Sequence, residues 1–323
     1  MNQPGYLPKI LSAVKWGDQK SENEFLNNVL KKWNKVEIGD ILFMLSFKFC
    51  MNNIYSKSTI YPKTQEVRSF AVKKLDSLDD KSLNFILLQL VQALRYEEQS
   101  VRSELRNYLV DRCKEEIYLA TSLYWFLNVE SEEEASISTS MKASNHVINF
   151  YKDILKQFTN SLSPKIKEPI DSQIKLRDKM VIMAKDLNKQ SVNTKERLKR
   201  IITCTSKDGS NEMYKLNPPL QLPIDPAIEI SGIIPEKSLI FASAKMPVKY
   251  TCKVTPETQI NVKDRDDPSQ YDIMFKYDDD LRKDQLILQI ISYIDTLLKS
   301  NGMDLEFTKY KVIFIIHSFT INF

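Results

Sequence analysis

Between Leu7 and about Ile202 the apolar residues recur three and four positions apart, the spacing that gathers them on one face of an α-helix. Val67, Phe70, Ala71, Leu75 and Leu78 form one such row, and after Asp79-Asp80 a second follows in Leu83, Ile86, Leu87, Leu90, Val91 and Leu94. Two helices joined by so short an acidic turn predict an antiparallel hairpin. Similar rows lie around Phe25 to Trp33, Ile41 to Phe49, Leu105 to Val110 and Ile117 to Leu127. The pattern predicts stacked hairpins, an α-solenoid, although no strict repeat period runs through it.

Further on, Ile170, Ile174, Val181, Ala184 and Leu187 keep helical spacing while Lys175, Arg177, Lys179, Lys185, Lys189, Lys195, Arg197, Lys199 and Arg200 occupy other faces. Such a face could meet anionic lipid or nucleic acid. A solvated helix partly balanced by Asp178, Asp186 and Glu196 is the simpler reading. The acidic run from Glu130 to Glu134 likewise reads as a solvated turn.

The periodicity changes after Ser206-Lys207-Asp208-Gly209-Ser210. The stretch Asn217-Pro218-Pro219-Leu220-Gln221-Leu222-Pro223-Ile224-Asp225-Pro226 carries too many prolines for a helix, and it marks the expected domain boundary. Leu239-Ile240-Phe241, Val248 to Val254 and Tyr271 to Lys276 then read as short strands, followed by a helix from about Leu281 to Ser300. The expected organisation is a helical domain over 1–205, a Pro-rich linker over 206–226 and an α+β unit with a small antiparallel sheet over 227–323. The fold class is mainly α.

Composition narrows the function classes. A length of 323 residues suits about two domains, and 46 Lys+Arg against 42 Asp+Glu leaves a formal charge of +4, ordinary solubility rather than a nucleic-acid surface. The four cysteines, Cys50, Cys113, Cys204 and Cys252, lie far apart with no C-x-x-C pair, which predicts neither a zinc site nor a disulfide framework. No signal peptide pattern opens the chain and no stretch reaches the ~20 apolar residues of a membrane span, so any membrane contact is expected to be peripheral.

The segment with chemical content runs from Tyr271 to Gln285, where Lys276 ends a strand and an acidic turn opens a helix. Ile287, Ile290, Ile291, Ile294, Leu297 and Leu298 are read as the inward stripe of that helix. Extending the stripe back by three and seven residues reaches Asp284, a carboxylate at a helix N-terminus, where the dipole favours an anion. Lys276 is the nearest cation along the chain. A strand lysine with a helix carboxylate is the pairing kinases use to hold ATP phosphates, and a surface ion pair is the plainer alternative.

The wording of the chain goes further. Asp279-Asp280-Leu281-Arg282-Lys283-Asp284-Gln285-Leu286-Ile287-Leu288-Gln289-Ile290-Ile291 resembles the D-D-L-R-Q-D-Q-L-I-L-Q-I-I signature of phosphatidylinositol 3-kinases, their class III vesicle-trafficking members in particular. Leu87-Leu88-Gln89-Leu90-Val91-Gln92-Ala93-Leu94-Arg95-Tyr96-Glu97 and Leu123-Tyr124-Trp125-Phe126-Leu127 resemble that family's helical (PIK-type) domain. Gly232-Ile233-Ile234-Pro235-Glu236 and Phe241-Ala242-Ser243-Ala244-Lys245-Met246-Pro247 resemble the entry and phosphate loop of its kinase amino-terminal lobe.

The resemblance implies that Lys276 contacts ATP phosphates, that Asp284 sits at the back of the nucleotide pocket, and that Tyr310 lines its wall. It assigns Ser243, Ala244 and Lys245 to the phosphate-covering loop, for which an ordinary polar hairpin turn is the structural alternative. It also implies ATP with Mg or Mn, phosphatidylinositol as membrane substrate, regulatory protein subunits of a trafficking or autophagy kinase complex, and a peripheral place on endosomal or autophagosomal membranes. No nucleic-acid partner is expected.

Some positions depart from the family pattern. Asp278 stands where the family has glycine and Lys283 where it has glutamine, and Phe49 to Ser56 looks like an insertion. The family's amino-terminal β domain has no counterpart here. The resemblance is expected to stop after Val312, with no counterpart of the catalytic D-R-H loop or the metal-binding D-F-G segment; Asp111-Arg112-Cys113 is a decoy in the helical part. His146 and His317 lack partner spacing. The reading is of a kinase truncated before its catalytic lobe and inactive alone, its apolar tail Ile313 to Phe323 either an edge strand or a sticky end. A non-catalytic helical interaction module is the alternative.

Overall fold

The computed structural model describes residues 5–49, 64–97, 103–132, 141–188, 213–241, 243, 246–262, 267–277, 281–307, 310–314 and 318–322. The expected insertion after Phe49, the acidic run beyond Glu132, the basic run from Lys189 to Arg200, Asp278 and the side chains of the tail beyond Ile313 lie outside the described residues. The chain divides into two compact units, Met1–Ser161 and Leu162–Phe323.

The described elements of the first unit are helical: α1 (Leu7–Ala13), α2 (Gln19–Asn28), α3 (Ile38–Met44), α4 (Thr64–Leu75), α5 (Asp80–Ala93), α6 (Glu104–Cys113), α7 (Ile117–Ser131) and α8 (Met141–Ser161). Their starts are written in the sequence. The side chains of Asp18, Asp79, Ser103 and Glu116 each accept from the backbone N–H three residues on, in the first turn of the helix they cap. Asp79 is therefore the cap of the second hairpin helix, and its bonds to Ser82 hold the carboxyl below the usual carboxylate range.

The rows predicted for α4 and α5 face inward. Val67, Ala71, Leu75, Leu83, Leu87, Leu90 and Leu94 are all fully buried. α4 packs on α3 and α6, and α7 packs on α5, α6 and α8, the near-neighbour layering of a helical stack. The Tyr151 hydroxyl donates to the Val91 carbonyl at 2.8 Å, and Arg106 Nε donates to Gln157 Oε1 at 2.7 Å, so α8 is pinned to both α5 and α6.

A cation lies inside this stack. Arg68 on α4 exposes 2% of its side chain and Glu97, just beyond α5, exposes 5%; their atoms meet at 2.5 Å. The same guanidinium donates to the carbonyls of Leu45 (2.8 Å) and Ala93 (3.2 Å), at the C-terminal ends of α3 and α5. Those carbonyls lie at helix C-terminal ends, where the helix dipoles favour a positive charge. Ser103, the cap of α6, completes the network by donating to Glu97 at 3.0 Å. The Leu87-to-Glu97 signature is thus legible physically: its apolar members fill the core and its terminal glutamate neutralises the arginine that ties off two helix ends.

The second unit opens with α9 (Pro164–Asn188), which packs on the sheet that follows. That sheet holds β1 (Leu220–Leu222), β2 (Asp225–Ile240), β3 (Val248–Val254), β4 (Gln270–Tyr277), β5 (Lys311–Phe314) and β6 (Ser318–Asn322), in the spatial order β1-β2-β3-β4-β6-β5 with antiparallel neighbours. Helix α10 (Arg282–Ser300) packs on β5.

The compact units meet in sequence at Ser161/Leu162, and the apolar row of α9 (Ile170, Leu176, Met180) is buried. The proline-rich stretch is part of the sheet: Leu220–Leu222 pairs with β2, and Leu216 N–H bonds Ser231 O at 2.8 Å. Proline is excluded from helix interiors and central ladders, yet fits turns and edge strands. Gly232 is required by this packing, since a Cβ there would lie 2.0 Å from the Tyr214 carbonyl oxygen. The tail joins the sheet as expected: Ile313 and Phe314 belong to β5, which forms one edge, and β6 lies between β4 and β5.

Candidate functional site

β4 places its residues alternately on two faces. Tyr271, Ile273 and Phe275 are buried on one face, and Ile273 and Phe275 line a small apolar void with Leu176 and Met180 of α9. Asp272, Met274 and Lys276 take the other face. There Met274 packs with Leu281, Tyr310 and Val312. Lys276, half-buried, is the next residue on that face. The strand lysine and the expected wall tyrosine therefore share one face of the sheet.

The β2–β3 hairpin lies beside β4 in the same sheet. Val248 is opposite Phe275, so the hairpin base lies one residue from Lys276 along β4. The turn is closed by Phe241 N–H to Pro247 O (2.9 Å) and Met246 N–H to Ser243 O (3.0 Å), with Met246 in the left-handed region at φ +38°. Ser243 is exposed at its tip. Ala244 and Lys245 lie outside the described residues.

Helix α10 corrects the predicted stripe. Ile287, Ile290, Ile294 and Leu297 expose 55, 49, 43 and 46% of their surface, while Leu281 and Asp295 are buried and Leu288, Ile291 and Leu298 half-buried. The inward row is 281, 284, 288, 291, 295 and 298, a three-and-four alternation that does include Asp284. Both faces of the helix are apolar, so periodicity could not tell which one meets the sheet. Among the described residues no ion pair joins Lys276 to Asp284.

Sequence reasoning missed Asp295, which is 1% exposed. Lys299 reaches both Asp295 (3.2 Å) and Asp304 (3.5 Å), binding the end of α10 to the segment beyond it, and its hydrogen bonds to these carboxylates raise its pKa. The signal was available: a carboxylate four residues before a lysine on the inward row.

The remaining candidates are structural. Arg112 pairs with Asp80 and Asp111 with Lys114, while Cys113 is buried with its thiol pushed up to about 12 by desolvation, so Asp111-Arg112-Cys113 is no catalytic loop. Cys252 is also a buried free thiol, and His146 is exposed on α8. Among the described residues, no group of three or more His, Cys, Asp or Glu side chains could hold a metal ion, and no helix is long and apolar enough to cross a membrane.

A helical stack followed by a small antiparallel sheet, with a strand lysine on the same face as an apolar cluster, has the form of a helical accessory domain joined to the amino-terminal part of a kinase lobe. The chain belongs to the phosphoinositide 3-kinase family: residues 1–171 match the model "Phosphoinositide 3-kinase family, accessory domain (PIK domain)", more than half of the chain. Residues 270–316 match "Phosphatidylinositol 3- and 4-kinase".

Among curated proteins the chain is 32% identical over 315 residues to phosphatidylinositol 3-kinase pik3 of Schizosaccharomyces pombe, covering 95% of this chain and 35% of that one. It is 29% identical to phosphatidylinositol 3-kinase VPS34 of Candida albicans (95 and 36%) and 29% identical to phosphatidylinositol 3-kinase VPS34 of Arabidopsis thaliana (97 and 35%). The chain thus spans about a third of the length of these relatives. The resemblance read from the four sequence blocks and these matches name the same family.

Proposed function

We propose that this chain forms the helical and nucleotide-holding portion of a class III phosphatidylinositol 3-kinase, which converts phosphatidylinositol and ATP to phosphatidylinositol 3-phosphate for endosomal trafficking and autophagy. The observation that carries this is Lys276 beside the Met274–Leu281–Tyr310 cluster on one face of β4, inside the segment that matches the kinase model. A cation adjoining an apolar wall suits a ligand with an anionic end and a flat apolar end.

In this reading the Lys276 ammonium neutralises phosphate oxygens, and Met274 and Tyr310 seat the base. Ser243, Ala244 and Lys245 form the tip that covers the phosphates. Asp284, on the inward row of α10, closes the back. When bound, ATP supplies the γ-phosphoryl group for the lipid 3-hydroxyl. Mg or Mn finds no ligand group among the described residues, so no step is derived through it. These 323 residues by themselves hold no D-R-H or D-F-G motif and are expected not to phosphorylate lipid, since positioning supplies most of the catalysis in phosphoryl transfer. Regulatory protein subunits would dock on the helical unit, and the assembly would act peripherally on endosomal or autophagosomal membranes.

The test is a thermal melt of the purified chain with and without ATP, because a ligand that binds only the native state raises the midpoint by mass action. A shift that Lys276→Met abolishes is expected. No shift in the parent chain at millimolar ATP would overturn the nucleotide assignment, and lipid phosphorylation by the purified chain would overturn its inactivity. The non-catalytic module is the reading that survives the first of these failures.

A further inference from the structure

The face of β4 that carries Lys276 and Met274 continues to Asp272, a residue the resemblance does not assign. Side chains at 272, 274 and 276 share a face, so Asp272 lies about 13 Å along the strand from Lys276, at about 3.3 Å per residue. That separation is comparable with the distance from the phosphate chain of a nucleotide to its nucleoside end. On β3, Lys249 is directly opposite Met274 and Thr251 directly opposite Asp272. Lys249 Nζ reaches Asp272 Oδ2 at 3.1 Å, with side-chain exposures of 27 and 32%.

The carboxylate is held from behind. Thr251 Oγ1, on a residue 2% exposed, donates to Asp272 Oδ1 at 2.6 Å. The Thr251 N–H donates to Ser238 Oγ at 3.2 Å, and that hydroxyl donates in turn to the Ile234 carbonyl at 2.8 Å. The register of β2 against β3 shifts between Ile234 and Leu239, which brings Ser238 and Lys237 over Thr251. The ion pair therefore stands at the margin between this covered polar patch and the apolar Met274. Each Asp272 oxygen keeps accepting capacity and the Lys249 ammonium keeps two N–H donors.

Resting on the nucleotide reading above, we propose that the Lys249–Asp272 pair forms the nucleoside-end rim of the site: with phosphates at Lys276 and the base over Met274, Asp272 accepts from a hydroxyl or amine of the nucleoside. A prepositioned carboxylate backed by a buried hydroxyl needs no reorganisation to accept such a bond. The pair would then select a nucleotide over a bare polyphosphate.

The experiment is calorimetric titration of the 323-residue chain and its Asp272→Asn, Lys249→Met and Lys276→Met variants with ATP and, separately, with inorganic tripolyphosphate. Asp272→Asn is expected to weaken ATP by about tenfold, the loss of one charge-assisted hydrogen bond, and to leave tripolyphosphate unchanged. Lys249→Met, which frees the carboxylate without removing it, should alter ATP binding alone. Lys276→Met should weaken both ligands. If the parent chain binds ATP and both rim variants bind it equally well, the rim is wrong and the nucleotide site stands. Equal weakening of ATP and tripolyphosphate by Asp272→Asn, or a lowered melting point without ligand, would assign the pair a structural role instead. A parent chain that binds neither ligand overturns the site and the rim together.

Discussion

Replacing Arg68 with methionine is expected to cost the helical unit a large part of its stability. The perturbation keeps an unbranched apolar stem and removes the charged guanidinium. It leaves the Glu97 carboxylate, 5% exposed, with the neutral hydroxyl of Ser103 in place of a cation, and strips a donor from the carbonyls of Leu45 and Ala93. Removing one partner of a buried pair typically costs about 3–5 kcal/mol, mostly the penalty of stranding the other charge. A domain holds only about 5–15 kcal/mol in total. Glu97→Gln keeps the shape and an acceptor for the guanidinium, so a smaller loss of about 1–3 kcal/mol is expected. The double variant should be less destabilised than the sum of the two, since each single change strands a group the other change removes.

All three tryptophans, Trp16, Trp33 and Trp125, belong to the first unit, and urea unfolding followed by tryptophan fluorescence reads that unit alone. A midpoint for Arg68→Met within about 1 kcal/mol of the parent, at unchanged slope, would refute the reasoning, because no stranded charge can be so cheap in a dry site.

Other consequences are open to the same methods. The thiol of Cys113 is pushed from 9.0 to about 12 and the phenol of Tyr108 from 10.0 to about 12, both chiefly by burial; the unfolded chain releases these protons first, so stability should fall as pH rises from about 9 towards 12. Cys113→Ala should flatten that fall in alkaline melts, and an unchanged slope would remove the thiol from the account. Gly232→Ala should destabilise the second unit by about 1–3 kcal/mol through the clash with the Tyr214 carbonyl, visible as faster hydrogen exchange in β2 and β3. On α10, Ile287→Lys should change stability by less than about 0.5 kcal/mol while Ile291→Lys costs several times more; the opposite order would restore the original stripe.

Much of the architecture was legible because local rules and packing agree. Short polar caps at Asp18, Asp79 and Ser103 and three-four apolar rows specify α2, α5 and α6 without help from the rest of the chain. Lys276 and Tyr310 were picked out by wording, and the strand alternation that puts Lys276 on the face of Met274 follows from a period of two. Asp284 is half-buried on α10, although of the six-residue stripe used to argue its position only Ile291 and Leu298 are half-buried and the other four are exposed.

What the sequence could not decide is what long-range contacts decide. Arg68 reads as one more charge on a helix; its burial depends on three chain segments converging on it, and no local pattern encodes that convergence. The Lys249–Asp272 pair spans 23 residues and exists because antiparallel register sets Lys249 against Met274. The prolines between 217 and 226 forbid a helix in any context, but whether such a stretch is a free linker or an edge of a sheet depends on the partner strand. Residue chemistry fixed which elements form and where they start; the pairing of distant segments chose their faces, because burial is a property of neighbours and not of the chain.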